Sequence, residues 1–218
     1  MSNDFILGVD LDGVCGRHTE AFRSIVAREL NVEEETLPLE RSWDFHEWGF
    51  AEGDFERLHR LAVLEHRMFR DMEVMAGCAE TLWRLSDAGV WIRIVTHRLY
   101  VNWGHAIAVA DTADWLDRSK IPYRDICFLG AKPEVQADAY IDDGPDNIVS
   151  LGAAGNDVII FDQPYNRHVE GTRAADWPMV EELVSELVAR RTGSLDQQLP
   201  GMDAGADRLS VRTIHETR

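Results

Sequence analysis

An apolar run from Phe5 to Val9 ends in the acidic cluster Asp10-Leu11-Asp12-Gly13. It is too short for a helix and rich in β-formers, which predicts a buried parallel strand over 5–10. Ala21, Phe22, Ile25, Val26, Ala27 and Leu30 then recur at helical spacing, so 19–30 is predicted as a helix capped by Thr19. Residues 31–54 have no clear period, but they contain Pro38 and gather Trp43, Phe45, Trp48 and Phe50. Helical spacing returns through Phe55, Leu58, Leu61, Ala62 and Leu64, predicting a helix over 55–70.

Beyond Gly77 the pattern alternates. Helices are predicted over 79–88, 105–116, 146–154 and 179–191, and strands over 90–95, 124–129, 139–141 and 158–161. Such alternation implies right-handed crossovers and an α/β fold with a Rossmann-like, doubly wound, mostly parallel sheet. The expected division is a core of residues 1–14 and 77–191, with 15–76 as a small helical insertion after the first strand. The stretch 192–218 is poor in large apolar residues and is expected to be a C-terminal tail, mobile or acting as a partner arm.

Composition narrows the function. The 218 residues are 45% hydrophobic and 28% charged, which suits one α/β domain with an insertion and excludes a fibrous or wholly disordered chain. Lys and Arg number 22 against 39 Asp and Glu, a formal net charge of -17. That balance opposes nucleic-acid and anionic-membrane partners. No apolar run is long enough to span a bilayer, and the N-terminus lacks a basic secretion signal. Cys15, Cys78 and Cys127 are scattered and odd in number, as expected of reduced thiols in a cytoplasmic protein.

The chemistry lies at the predicted strand ends, where open α/β sheets bind ligands. Asp10 and Asp12 follow the first strand, Thr96 the strand 90–95, Lys132 the strand 124–129, and Asp142 with Asp143 the strand 139–141. Four converging carboxylates repel one another unless a cation is present, and an oxygen-only set suits a hard ion such as Mg2+. A phosphate opposite the metal would then lie on Thr96 and Lys132. Each piece alone has a bland alternative: Asp is common in turns, and an Asp pair before Gly144-Pro145 also suits a helix cap. Their order along the chain is what favours a phosphate site.

The segments Val9–Val14 (VDLDGV), Ile94–Arg98 (IVTHR), Lys132 and Tyr140–Asn147 (YIDDGPDN) resemble, in order, the four motifs of the haloacid-dehalogenase-like phosphohydrolases. The likeness spans about residues 5–165. More narrowly, IDDGPDNI followed by IIFDQPYNR resembles the 5'(3')-deoxyribonucleotidase family, whose helical cap follows the first motif. The resemblance implies a Mg2+-dependent phosphomonoesterase with Asp10 as nucleophile, passing through an aspartyl-phosphate, and Asp12 as acid and base. It implies Asp10, the Asp12 carbonyl, Asp143 and Asp142 around the metal, and Thr96, His97 and Lys132 on the phosphate. Candidate substrate contacts are Trp43, Phe45, Trp48, Arg98 and Arg167, with Trp103 a further ring; the competing expectation is that the rings form the insertion's own core and the arginines lie at the surface. The favoured substrate is a nucleoside monophosphate. A sugar phosphate or other small ester, and a catalytically silent binding module, remain open at this point, as does a homodimer.

Overall fold

The computed structural model describes residues 5–99 and 104–192. Trp103 and the tail beyond Thr192 lie outside the described residues. Six strands form one sheet: β1 (Ile6–Val9), β2 (Trp91–Thr96), β3 (Asp125–Phe128), β4 (Ala139–Asp142), β5 (Asp157–Phe161) and β6 (Thr172–Ala174). All pairings are parallel, in the order β3-β2-β1-β4-β5-β6. The α/β Rossmann-like class predicted from the alternation is the class observed. Burial follows position: every residue of central β4 is buried, whereas edge strand β3 is half-buried throughout. β1 registers Val9 against Ile94 of β2 and Ile141 of β4, so its acidic end emerges between two neighbours where the winding reverses.

The helices are α1 (His18–Leu30), α2 (Asp54–Leu64), α3 (Met68–Asp71), α4 (Cys78–Asp87), α5 (His105–Arg118), α6 (Pro145–Ala153) and α7 (Trp177–Thr192). Pro145 opens α6, where its missing N–H breaks no helical bond. Two sequence expectations are corrected here. The helix predicted over 55–70 is broken between α2 and α3, with Arg67 in the left-handed region at φ 54°. Apolar spacing ran across that break because Leu58, Ala62, Met68 and Phe69 are buried on both sides of it. Thr19 is not a cap: Arg17 holds that position without a side-chain bond, and the buried Thr19 hydroxyl accepts from Arg41 at 2.9 and 3.3 Å. The sequence pattern predicts no element at the three-residue β6, since so short an edge strand shows no alternation.

Residues 15–76 carry α1, α2, α3 and two short 3-10 turns, Glu34–Thr36 and His46–Trp48. Their packing centres on Phe22, fully buried, with the rings of Phe45, Trp48, Phe50, Phe55 and His59 at 5.5 to 6.3 Å. Polar links fasten the segment to α5, and two of them reach buried groups. Arg67 Nε donates to buried Asp111 at 2.6 Å, and Trp115 Nε1 donates to the Met72 carbonyl at 2.8 Å. Cys15 and Cys78 are buried, Cys127 half-buried, and all three are free thiols. Among the described residues no helix is long and apolar enough to cross a membrane.

Truncating the hub ring leaves a large void among groups that cannot all collapse inward. Phe22→Ala is expected to cost about 3–5 kcal/mol in urea unfolding; a loss below about 1 kcal/mol would contradict the packing described.

Candidate active site

β1 and β4 deliver their last residues to one point. The Asp10 N–H donates to the Ile141 carbonyl at 3.1 Å, extending the ladder one residue past β1. Asp142 ends β4 and Asp143 follows it. Asp10, Asp142 and Asp143 are all buried, and each offers a carboxylate oxygen within 4.8 Å of the others. Lys132, in a short 3-10 turn after β3, is 2% exposed and donates to Asp10 Oδ1 and Asp142 Oδ2, each at 2.6 Å.

The surrounding groups fix this cluster. Asp142 Oδ1 accepts from the Gly144 N–H at 3.0 Å and Asn147 Nδ2 at 3.1 Å, so both its oxygens are engaged. Tyr165 donates its hydroxyl to Asp143 Oδ2, and Asn166 Nδ2 donates to the Asp143 carbonyl at 2.9 Å. Gly13, at φ 84°, lets the chain pass close by; a Cβ there would lie 2.0 Å from Asp143 Oδ2.

One ammonium faces three carboxylates, and the electrostatics reflect the imbalance. Burial pushes the Asp10 carboxyl up to about 7 against the pull of Lys132, with Asp142 adding to the rise. Burial, then the charges of Asp10 and Asp142, holds Asp143 well above the usual carboxylate range. Burial opposes the charged form of Lys132, but Asp10 and Asp142 outweigh it and raise its pKa. Asp12 behaves differently. Burial would raise it, yet Arg98, together with His18 and His59, lowers it overall. Three oxygen ligands carrying excess negative charge in a buried pocket fit a hard divalent cation, which would relieve the raised pKa values of Asp10 and Asp143.

Thr96 ends β2 beside β1 and is 1% exposed, its Oγ1 accepting from the Arg98 N–H at 3.3 Å. His97 is half-buried, and burial followed by the Lys132 charge lowers its pKa. The candidates for substrate contact are placed unevenly. Phe45 and Trp48, 5% and 6% exposed, lie in the cluster around Phe22, and Trp48 Nε1 donates to the Pro38 carbonyl at 2.9 Å. Trp43 is 49% exposed, its ring 5.3 Å from that of Tyr165. The two line a cleft of about 400 Å³ with Arg41, Ser42 and His168. Arg167 is at the surface, paired with Glu40 at 2.9 Å, and Arg98 is turned inward onto Asp12 at 2.7 Å.

Sequence reasoning missed Tyr165, Arg41, His18 and His59. Arg41 is 5% exposed and lies over the rings of Phe45 (3.7 Å) and Tyr165 (4.2 Å). His18 and His59 bring their Nε2 atoms to 3.4 Å, and burial holds their pKa values down to about 3 and about 4. No periodic signal marks Tyr165 or Arg41, His59 reads in sequence as a surface or cap residue, and His18 stands where a smaller or apolar residue is expected.

A family model described as "5' nucleotidase, deoxy (Pyrimidine), cytosolic type C protein" matches residues 4–192. A protein of Chlorobaculum tepidum named "Putative 5'(3')-deoxyribonucleotidase" is 41% identical over 187 residues, covering 85% of this chain and 93% of its own length. A protein of Oceanobacillus iheyensis, named as a nucleotidase, is 28% identical over 184 residues, covering 78% of this chain and 94% of its own. Among solved structures, a haloacid dehalogenase-like hydrolase of Streptococcus pneumoniae superposes with a TM-score of 0.57 at 11% identity, over 84% of this chain and 100% of that one. The D,D-heptose 1,7-bisphosphate phosphatase of Burkholderia thailandensis gives 0.50 at 12% identity, over 83% and 98%. These structural likenesses speak to the fold, while the family match extends through every strand and all the acidic positions of the site. The chain therefore belongs to the deoxy (pyrimidine), cytosolic type C 5' nucleotidase family, and is a phosphoric monoester hydrolase with the haloacid dehalogenase-like fold.

Proposed function

We propose that this protein is a Mg2+-dependent 5'(3')-deoxyribonucleotidase that hydrolyses nucleoside monophosphates through an aspartyl-phosphate on Asp10. The observation that carries this reading is the buried cluster of Asp10, Asp142 and Asp143 tied to Lys132 at 2.6 Å. Asp10, Asp143 and the Asp12 carbonyl would hold the metal, with Asp142, already engaged by Lys132, Gly144 and Asn147, beside them. When bound, the cation supplies charge neutralisation for an anion attacking an anion.

The side chains do the rest. An Asp10 oxygen attacks phosphorus in line, the ester P–O bond breaks, and Asp12, once protonated against the pull of its Arg98 ion pair, gives that proton to the departing alkoxide. Lys132, Thr96 and His97 hold the phosphoryl oxygens. A water then attacks the aspartyl-phosphate, passing a proton to Asp12 and releasing inorganic phosphate and free Asp10. Residues 1–14 and 77–191 serve as the catalytic core and 15–76 as a cap over it. The exposed face of Trp43 offers a stacking surface for the base. The family's cytosolic designation supports a cytoplasmic location.

Three outcomes follow. Asp10→Asn should lower kcat on 5'-deoxyribonucleoside monophosphates by on the order of 10³-fold or more with an unchanged circular dichroism spectrum; near-normal turnover would remove Asp10 from the chemistry. Phosphate release should stop on adding a chelator and return with excess Mg2+, whereas activity indifferent to chelation would exclude a metal role. On a panel of monophosphates, Trp43→Ala should raise KM for nucleotides by roughly 5- to 150-fold, the equivalent of about 1–3 kcal/mol of stacking. Equal rates on sugar phosphates, unaffected by that substitution, would point to another small ester.

A further inference from the structure

The reaction sequence above leaves Arg98 without a task, although its side chain is fully buried and burying a guanidinium is costly unless its donors are matched. They are matched closely. Nε donates to both oxygens of Asp12 at 3.2 and 3.1 Å, one Nη donates to Asp12 Oδ1 at 2.7 Å and lies 3.8 Å from Met72 Sδ, and the other donates to Thr112 Oγ1 at 3.3 Å. Two rings also lie against the guanidinium, with the centroids of Phe69 and Trp115 at 4.5 and 4.9 Å from its central carbon. Phe69 and Met72 come from the segment between β1 and β2, Thr112 and Trp115 from α5. The guanidinium is thus held from two sides of the molecule, and it in turn grips the Asp12 carboxylate.

Asp12 keeps a side-chain exposure of 26% although Arg98 donates to both of its oxygens, so the residue is held without being wholly enclosed. A carboxylate on a flexible turn loses effectiveness in proton transfer if it can rotate away from the reacting oxygen. We propose that Arg98 is a positioning residue: it fixes the orientation in which Asp12 exchanges a proton with the leaving-group oxygen and then with the attacking water. This inference rests on the role given to Asp12 under the proposed function. The action of Arg98 runs through Asp12, and its planar two-point grip is one that lysine reproduces only in part.

The competing role is a purely structural pin between α5 and the inserted segment, and a leaving-group comparison separates the two. With the Mg2+-loaded enzyme, kcat/KM is measured on a 5'-deoxyribonucleoside monophosphate, whose alkoxide must be protonated, and on p-nitrophenyl phosphate, whose phenolate leaves without help. kcat/KM reports events up to leaving-group departure, so the later hydrolysis of the aspartyl-phosphate does not enter. Asp12→Asn sets the scale, with a loss of about 10²–10⁴-fold on the nucleotide and far less on the aryl ester. Arg98→Met should lose roughly 10- to 100-fold on the nucleotide but under about 3-fold on the aryl ester, and Arg98→Lys should recover part of that loss. Added to Asp12→Asn, Arg98→Met should cost under about 3-fold more, because its effect runs through Asp12.

Equal losses on both esters, no loss on either, or an undiminished loss in the Asp12→Asn background would each overturn the inference. If Arg98→Met does not fold, Arg98→Lys is read by the same comparison, and equal losses on the two esters overturn it there. An Asp12→Asn enzyme that treats the two esters alike would instead overturn the role of Asp12, and with it the reading on which this inference rests.

Discussion

Three carboxylates and one ammonium share a buried pocket, and much of the surrounding architecture answers that imbalance. Burying a charge is costly unless it is paired and hydrogen-bonded. Asp142 accepts from Lys132, Gly144 and Asn147, while Asp10 and Asp143 have fewer partners, and burial raises the pKa values of these two. The sheet makes the crowding unavoidable, since β1 and β4 are neighbours in register and both end in acid. Three carboxylates against one ammonium leave excess negative charge in the pocket, which a divalent cation would offset.

Around this centre, separate devices hold the inserted segment against the core. Its aromatic cluster around Phe22 makes the segment cohesive in itself, while Arg67 on Asp111 and Trp115 on the Met72 carbonyl tie it to α5. Arg41 bridges the two by lying over Phe45 on one side and Tyr165 on the other, and Tyr165 reaches Asp143. Arg98 makes a parallel link from Phe69 and Trp115 to Asp12. Buried arginines thus connect the packing of the insertion with two acidic groups of the site.

What the sequence made legible was governed by the sheet. Asp10, Asp142 and Asp143 stood at the ends of apolar runs whose type and order were readable, so their convergence followed from topology, and Lys132 joined them by its place after β3. The fold class followed from the same alternation. Less legible were features that depend on where a side chain turns. Arg98 and Arg167 are each a single arginine in a loop sequence, yet one is buried on Asp12 and the other lies at the surface on Glu40. Trp43, Phe45 and Trp48 read alike in sequence, but packing buried the last two and left Trp43 exposed. The break at Arg67 was invisible because apolar spacing persists through it, and Tyr165 because a tyrosine in a short turn carries no periodic signal.

The claim on which the rest depends is that the acidic cluster is a binding site for one divalent cation. Isothermal titration of the purified protein with Mg2+ measures this without substrate or turnover. Binding of one ion per chain, abolished in Asp143→Asn while the fold is kept, is the predicted result. No saturable binding, or binding that Asp143→Asn leaves unchanged, would contradict it.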